Sequence, residues 1–96
     1  MKVKVRYLGV IKDIVGRGEE EVVLNGNSKI IDLLEQLAER YGERFKEEVW
    51  EPGLTNLKSG HILTVNGTLL GQLTEGVKSS LKDGDEVALM SVIYGG

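Results

Sequence analysis

The sequence predicts an α+β domain in which one main helix packs across a mixed sheet. Three stretches carry that reading. Residues 28–41 place apolar side chains at helical spacing, residues 2–8 alternate charged and apolar positions, and residues 87–94 are apolar on both alternating faces. A strand with no wet face belongs at the centre of a sheet, covered on each side. Ninety-six residues suit a single domain spanning 1–96, with a modest core and a flexible tail from about residue 93 onward.

Val3, Val5 and Tyr7 alternate with Lys2, Lys4 and Arg6, a half-buried strand whose polar side also carries Leu8. Gly9 ends it. The stretch Val10–Val15 is short and mixed, compatible with a helical turn, and Gly16-Arg17-Gly18 closes it. Glu20–Leu24 reads as a second strand paired with the first, and Glu19-Glu20-Glu21 as a solvated strand edge. Asn25-Gly26-Asn27 ends that strand, and Ser28 is the expected N-cap of the main helix. Ile30, Ile31, Leu33, Leu34, Leu37, Ala38 and Tyr41 form the apolar stripe of that helix, while Asp32, Glu35, Gln36, Glu39 and Arg40 face water. Gly42 follows where a helix stops.

A shorter helix is expected over Glu43–Trp50, with Phe45 and Val49 one turn apart and Pro52-Gly53 as its stop. Trp50 reads as a core or edge residue rather than a binding platform. Residues 53–60 carry no clear period. Ile62–Val65 is a short strand, and Asn66-Gly67 before Thr68 signals a hairpin. Residues 71–81 read as a loop anchored by Leu73, Val77 and Leu81, and Asp83-Gly84 turns the chain into the last strand. Laying that strand parallel to the first, at the sheet centre, gives the β-grasp or ubiquitin-like arrangement. Val3, Val5, Tyr7, Leu33, Leu34, Leu37, Val87 and Leu89 are the expected core.

Composition excludes several function classes. Cysteine is absent, which removes disulfides, thiolate ligands and a thiol nucleophile. Twelve basic against fifteen acidic residues leave a net charge of −3, the wrong sign for a nucleic-acid partner. No apolar run is long enough to span a bilayer, and the N-terminus lacks a signal peptide's apolar stretch, so no membrane partner and a cytoplasmic location are expected. No catalytic constellation and no metal site assemble from the residues. His61, the single histidine, reads as a solvated strand-end residue. Asp83 and Asp85 flank Gly84 as turn residues, and Gly16–Gly18 lacks the helix and lysine of a phosphate loop. The chain looks like something acted upon.

What would be acted upon is its end. The last strand runs into Gly95-Gly96 without turning back, and the expectation is a free carboxylate on Gly96. Glycine lacks a Cβ, so such a tail can thread a narrow site in another protein. The five residues from Val92 onward reach about 17 Å when extended. If the first and last strands are neighbours, Leu8, Met90 and Val92 form an apolar patch on the outer face, close to where the tail leaves.

Asp83-Gly84-Asp85-Glu86-Val87-Ala88 followed by Gly95-Gly96, together with Val65-Asn66-Gly67 and Val15-Gly16, resembles the MoaD/ThiS family of ubiquitin-like sulfur carriers. The likeness is strongest to the MoaD branch, the small subunit of molybdopterin synthase. It implies that Gly96 is adenylated by a ubiquitin-activating-type enzyme (MoeB-like) using ATP. A sulfur donor then converts the adenylate to a thiocarboxylate, and the sulfur is delivered within the large synthase subunit (MoaE-like). It also implies that Gly95, Tyr94 and Ile93 are read during recognition of the tail, and that the Leu8, Met90 and Val92 face binds both partners. No cofactor is implied in the chain itself. Tyr94 is bulkier than the small residue usual before the diglycine, which leaves the acceptor open among molybdopterin, a tRNA base, thiazole and a protein lysine. A β-grasp binding module whose tail is never activated is the reading from another class.

Overall fold

The computed structural model describes residues 1–50 and 57–92. The helix stop at Pro52-Gly53 and the tail residues Ile93, Tyr94, Gly95 and Gly96 lie outside the described residues. Five strands, β1 (Lys2–Leu8), β2 (Glu19–Val23), β3 (His61–Val65), β4 (Thr68–Leu69) and β5 (Glu86–Ser91), form one sheet in the order β2-β1-β5-β3-β4. β5 is central and parallel to β1, with Val5 opposite Val87 and Leu8 opposite Met90. The other pairings are antiparallel. Three helices accompany the sheet: α1 (Val10–Val15), α2 (Ile30–Tyr41) and α3 (Glu43–Val49). The architecture is the expected β-grasp.

The sequence explains why each element closes where it does. Gly9 and Gly16 take positive φ at either end of α1, so the mixed stretch is a six-residue helix whose one fully buried side chain is Ile11. Asn66 (φ 51°) and Gly67 (φ 85°) make the tight β3–β4 turn, both in the left-handed region such a hairpin demands. The expected loop after β4 is shortened by two 3₁₀ turns, Leu70–Gln72 and Gly76–Lys78. All eight expected core residues are buried in one cluster with Ile30, Phe45, Val49 and Leu63. Val77 and Leu81 anchor the loop as expected, with Leu73 partly buried against the same cluster. Trp50 likewise leans on the core and bridges Leu57.

Four expectations are corrected. Ser28 is not the N-cap of α2. It is buried, its carbonyl accepts from the Leu81 N–H, and the cap falls to Lys29, whose N–H donates to Asp32 Oδ2 at 2.8 Å. Backbone pairing with residues 79–81 takes that position out of the cap role. His61 is not solvated, because its side chain is 2% exposed and its Nε2 lies 2.7 Å from Glu48 Oε2. The outer face of β5 is not closed off; Glu86, Ala88 and Met90 are half-buried.

The fourth correction is Glu20, which is not part of a solvated edge. Period two places it on the inner side of β2 with Val22, and its side chain is 5% exposed. It accepts hydrogen bonds from Tyr7 Oη (2.6 Å), Tyr41 Oη and Arg40 Nη1 (2.9 Å), with Arg17 Nη1 at 3.8 Å. Burial by itself would raise this carboxyl, but the Tyr41 and Tyr7 hydroxyls and the Arg40 and Arg17 charges outweigh it and hold it below the ordinary 4.5. A lowered folded value stabilises the fold above the unfolded value and ceases to do so as pH falls through the folded one. Glu20→Gln is therefore expected to flatten the acid limb of the stability curve below about pH 4.5. Thermal melts of both chains across that window check it, and parallel curves would assign the acid loss to other carboxylates.

Candidate functional site

The parallel β1–β5 register decides what lies at the exit of the last strand. Leu8 stands opposite Met90, and antiparallel β3 sets Ile62 on the other side of Met90. Leu8 is 40% exposed, and Met90 and Ile62 are half-buried. The three therefore form an apolar row across three strands, at the end of the sheet where the chain leaves β5. Val92 follows directly, half-buried, its N–H donating to the Gly60 carbonyl at 2.8 Å.

Next to the row, the same face carries two ion pairs. Lys4 Nζ lies 3.0 Å from Glu19 Oε2, and Arg6 Nη1 lies 3.4 Å from Glu86 Oε1. The hydrogen bond to Glu19 and its charge hold the Lys4 ammonium above its ordinary value. Those paired charges stay hydrated, whereas burying the Leu8–Met90–Ile62 row against another protein releases water at a gain.

Asp83 and Asp85 act as turn residues, as expected. Gly84 takes φ 86°, Asp83 Oδ1 accepts from the Lys2 N–H at 2.7 Å, and Asp85 accepts from the Lys82 N–H and from Asn66 Nδ2. These bonds tie the start of β5 to the start of β1 and to the β3–β4 hairpin. The DGDE stretch thus sets the register that brings Leu8 to Met90. Among the described residues, no group of three His, Cys, Asp or Glu side chains converges to hold a metal ion. No described helix is long and apolar enough to cross a membrane.

Of the sequence-derived site residues, the structure brings Leu8, Met90 and Val92 to one end of the sheet. The recognition and reaction positions Ile93, Tyr94, Gly95 and Gly96 lie outside the described residues. Ile62 was missed, because its place beside Met90 depends on the β3–β5 register, which no local pattern encodes. Period two puts Glu20 on the same side of β2 as Val22, but burial of its charge rests on Tyr7, Tyr41 and Arg40, partners that no local pattern names.

Residues 5–96 match the family model described as "ThiS family". The chain belongs to the ThiS family. This ThiS-family chain is also similar in fold to ubiquitin-like proteins of known structure. Small archaeal modifier protein 1 from Methanosarcina acetivorans aligns at a TM-score of 0.77 and 24% identity, over 99% of this chain and 96% of that one. A Pyrococcus furiosus protein provisionally designated molybdopterin converting factor, subunit 1, aligns at 0.74 and 29%, over 97% and 99%. A chain of the BexX/CysO complex from Amycolatopsis orientalis aligns at 0.73 and 20%, over 98% and 99%. No curated protein matches the ThiS-family chain.

Proposed function

We propose that this ThiS-family chain is a sulfur carrier whose Gly96 carboxylate is adenylated and then thiocarboxylated, for delivery of sulfur in molybdopterin biosynthesis. The observation that carries the reading is the apolar row Leu8–Met90–Ile62 at the exit of the central strand, a few residues before Gly95-Gly96, in a chain of this family. The 29% identity with the Pyrococcus furiosus protein favours molybdopterin as the destination.

A carboxylate is a poor acyl donor because its carbon is electron-rich and its leaving group would be oxide. Attack of a Gly96 oxygen on the α-phosphorus of ATP releases pyrophosphate and leaves an acyl-adenylate. A sulfide-level donor then adds to the activated carbon, AMP departs with the C–O electron pair, and a thiocarboxylate remains. No step needs a titratable side chain of the carrier. The adenylating enzyme (MoeB-like) and the large synthase subunit (MoaE-like) supply the catalytic groups, and the carrier supplies docking and reach.

The test is intact-protein mass spectrometry after incubation with a ubiquitin-activating-type enzyme, ATP and sulfide. One oxygen of the full chain is expected to be replaced by sulfur, with no change in a chain lacking Gly95 and Gly96. Sulfur incorporation into the truncated chain, or none into the full chain, overturns the proposal. The likeness to small archaeal modifier protein 1 favours a second reading, conjugation of Gly96 to a protein lysine. An isopeptide-linked product in the same assay, in place of sulfur transfer, would select it.

Docking has its own prediction. Met90→Asp puts a charge where the partner must exclude water. It is expected to weaken binding to the activating enzyme at least about ten-fold, or ~1.4 kcal/mol. Because Met90 is only half-buried, the melting temperature should stay near that of the parent. Calorimetric titration and a thermal melt measure both, and a large loss of stability with unchanged binding would make Met90 a core residue instead.

A further inference from the structure

The residues just before the tail are held from both sides, and the grip involves groups that the core does not need. On one side, Gly9 follows β1 with φ 69° and ψ −143°, backbone that only glycine adopts freely. A Cβ placed there would stand 2.4 Å from Ser91 Oγ and 3.0 Å from the Ser91 carbonyl oxygen. The Ser91 hydroxyl fits into that space and accepts the Val10 N–H at 2.8 Å, satisfying an otherwise unpaired amide at the start of α1. On the other side, the Val92 N–H donates to the Gly60 carbonyl.

The Gly60 side is itself braced. His61 stands opposite Ser91 in the β3–β5 register, and its Nδ1 lies 3.0 Å from the Lys58 carbonyl and 3.2 Å from that of Ser59. Its Nε2 contacts Glu48 of α3. Ser91 and Val92 are therefore fixed between the β1–α1 corner and the residue 58–61 corner.

We propose that Gly9 and Ser91 are positioning residues that fix the root of residues 93–96, so that the Gly96 carboxylate samples fewer placements when the apolar row docks. The inference rests on the sulfur-carrier reading. The reacting carbon sits five residues beyond Ser91. With those residues able to span about 17 Å, a loose root multiplies the volume the carboxylate explores. Holding the root removes part of that search before the enzyme is met, an advantage realised in the chemical step rather than in docking.

Gly9→Ala and Ser91→Ala test this in the full-length chain. The first pushes the Ser91 backbone, and the second removes the acceptor without adding bulk. Steady-state adenylation is measured while carrier concentration is varied, alongside hydrogen exchange at the Val92 amide. Ser91→Ala replaces no side chain of the docking row and moves no backbone by bulk, so in it KM for the carrier should hold while kcat falls roughly ten- to hundred-fold. Val92 should exchange faster in both variants. A merely structural defect, or damage to the patch, would raise KM instead. Should Gly9→Ala fail to fold, Ser91→Ala still decides. Native kcat in Ser91→Ala, or unchanged Val92 exchange, overturns the positioning role. A native chain that is not adenylated at all removes the carrier reading, a distinct result because it appears before any variant is made.

Discussion

A chain carrying one extra residue after Gly96 is expected to melt at the parent temperature and yet to resist thiocarboxylation completely. Every core side chain among the described residues lies at or before Leu89, eight positions before the added residue, so the addition replaces none of them. Additions of that kind change stability by no more than about 0.5 kcal/mol. The chemical consequence is of another order. The Gly96 carbonyl becomes a peptide carbonyl with no ionised oxygen to attack ATP, and the new carboxylate lies about 3.5 Å further along the chain. A misplacement of about 1 Å already costs an enzyme around a hundred-fold, so the extended chain should show no detectable sulfur in intact-mass spectra. Equal modification of the extended and parent chains would end the carrier reading in favour of a binding module. Intact mass of the protein purified from its source checks the premise that the mature polypeptide ends at Gly96.

Leu34→Ala is expected to produce the opposite signature, a large loss of stability with docking and chemistry intact in whatever remains folded. Leu34 is fully buried on the apolar stripe of α2, which shares a single cluster with the inner sheet residues Val5, Tyr7, Val87 and Leu89. Truncating a buried leucine loses its transfer energy and leaves a cavity that the surroundings only partly fill, costing about 2–5 kcal/mol. Small domains are stable by only about 5–15 kcal/mol, so this is a sizeable share of the total. At about 4–8 °C per kcal/mol for a domain of this size, the melting temperature should fall by at least ~8 °C. Val23→Ala is the control: Val23 is 65% exposed and its truncation should cost little. Urea unfolding of the two variants measures the contrast, and equal costs would contradict the single-core architecture.

Much of this was legible from local pattern. Strict alternation of Val3, Val5 and Tyr7 with charged neighbours set one face of β1 inward. The i, i+3, i+4, i+7 stripe from Ile30 to Tyr41 set the helix that covers it. Asn66-Gly67 and Asp83-Gly84 marked turns, because Asn66, Gly67 and Gly84 take the positive φ that few other residues accept, and Asp83 supplies a side-chain acceptor for the turn. Absence of cysteine and a lone histidine directed attention to the chain end rather than to an internal catalytic site. These features depend on neighbours within one or two turns of the chain, and the sequence alone determined them.

Charged residues whose partners are distant in sequence were settled by tertiary structure alone. Glu20 reads as solvent-facing beside Glu19 and Glu21 until Tyr41 and Arg40, some twenty residues away, arrive from α2 to satisfy it. His61 reads as exposed until α3 brings Glu48 over it. Ser28 has the chemistry of a cap but is claimed by Leu81 across more than fifty residues. The apolar row needed the β1–β5 and β3–β5 registers together, and the meeting of Gly9 with Ser91 needed the parallel pairing. The physical reason is common to all of them. A buried charge or a close backbone approach is tolerable only when its partner is present, and the fold, not the local sequence, decides which partner that is.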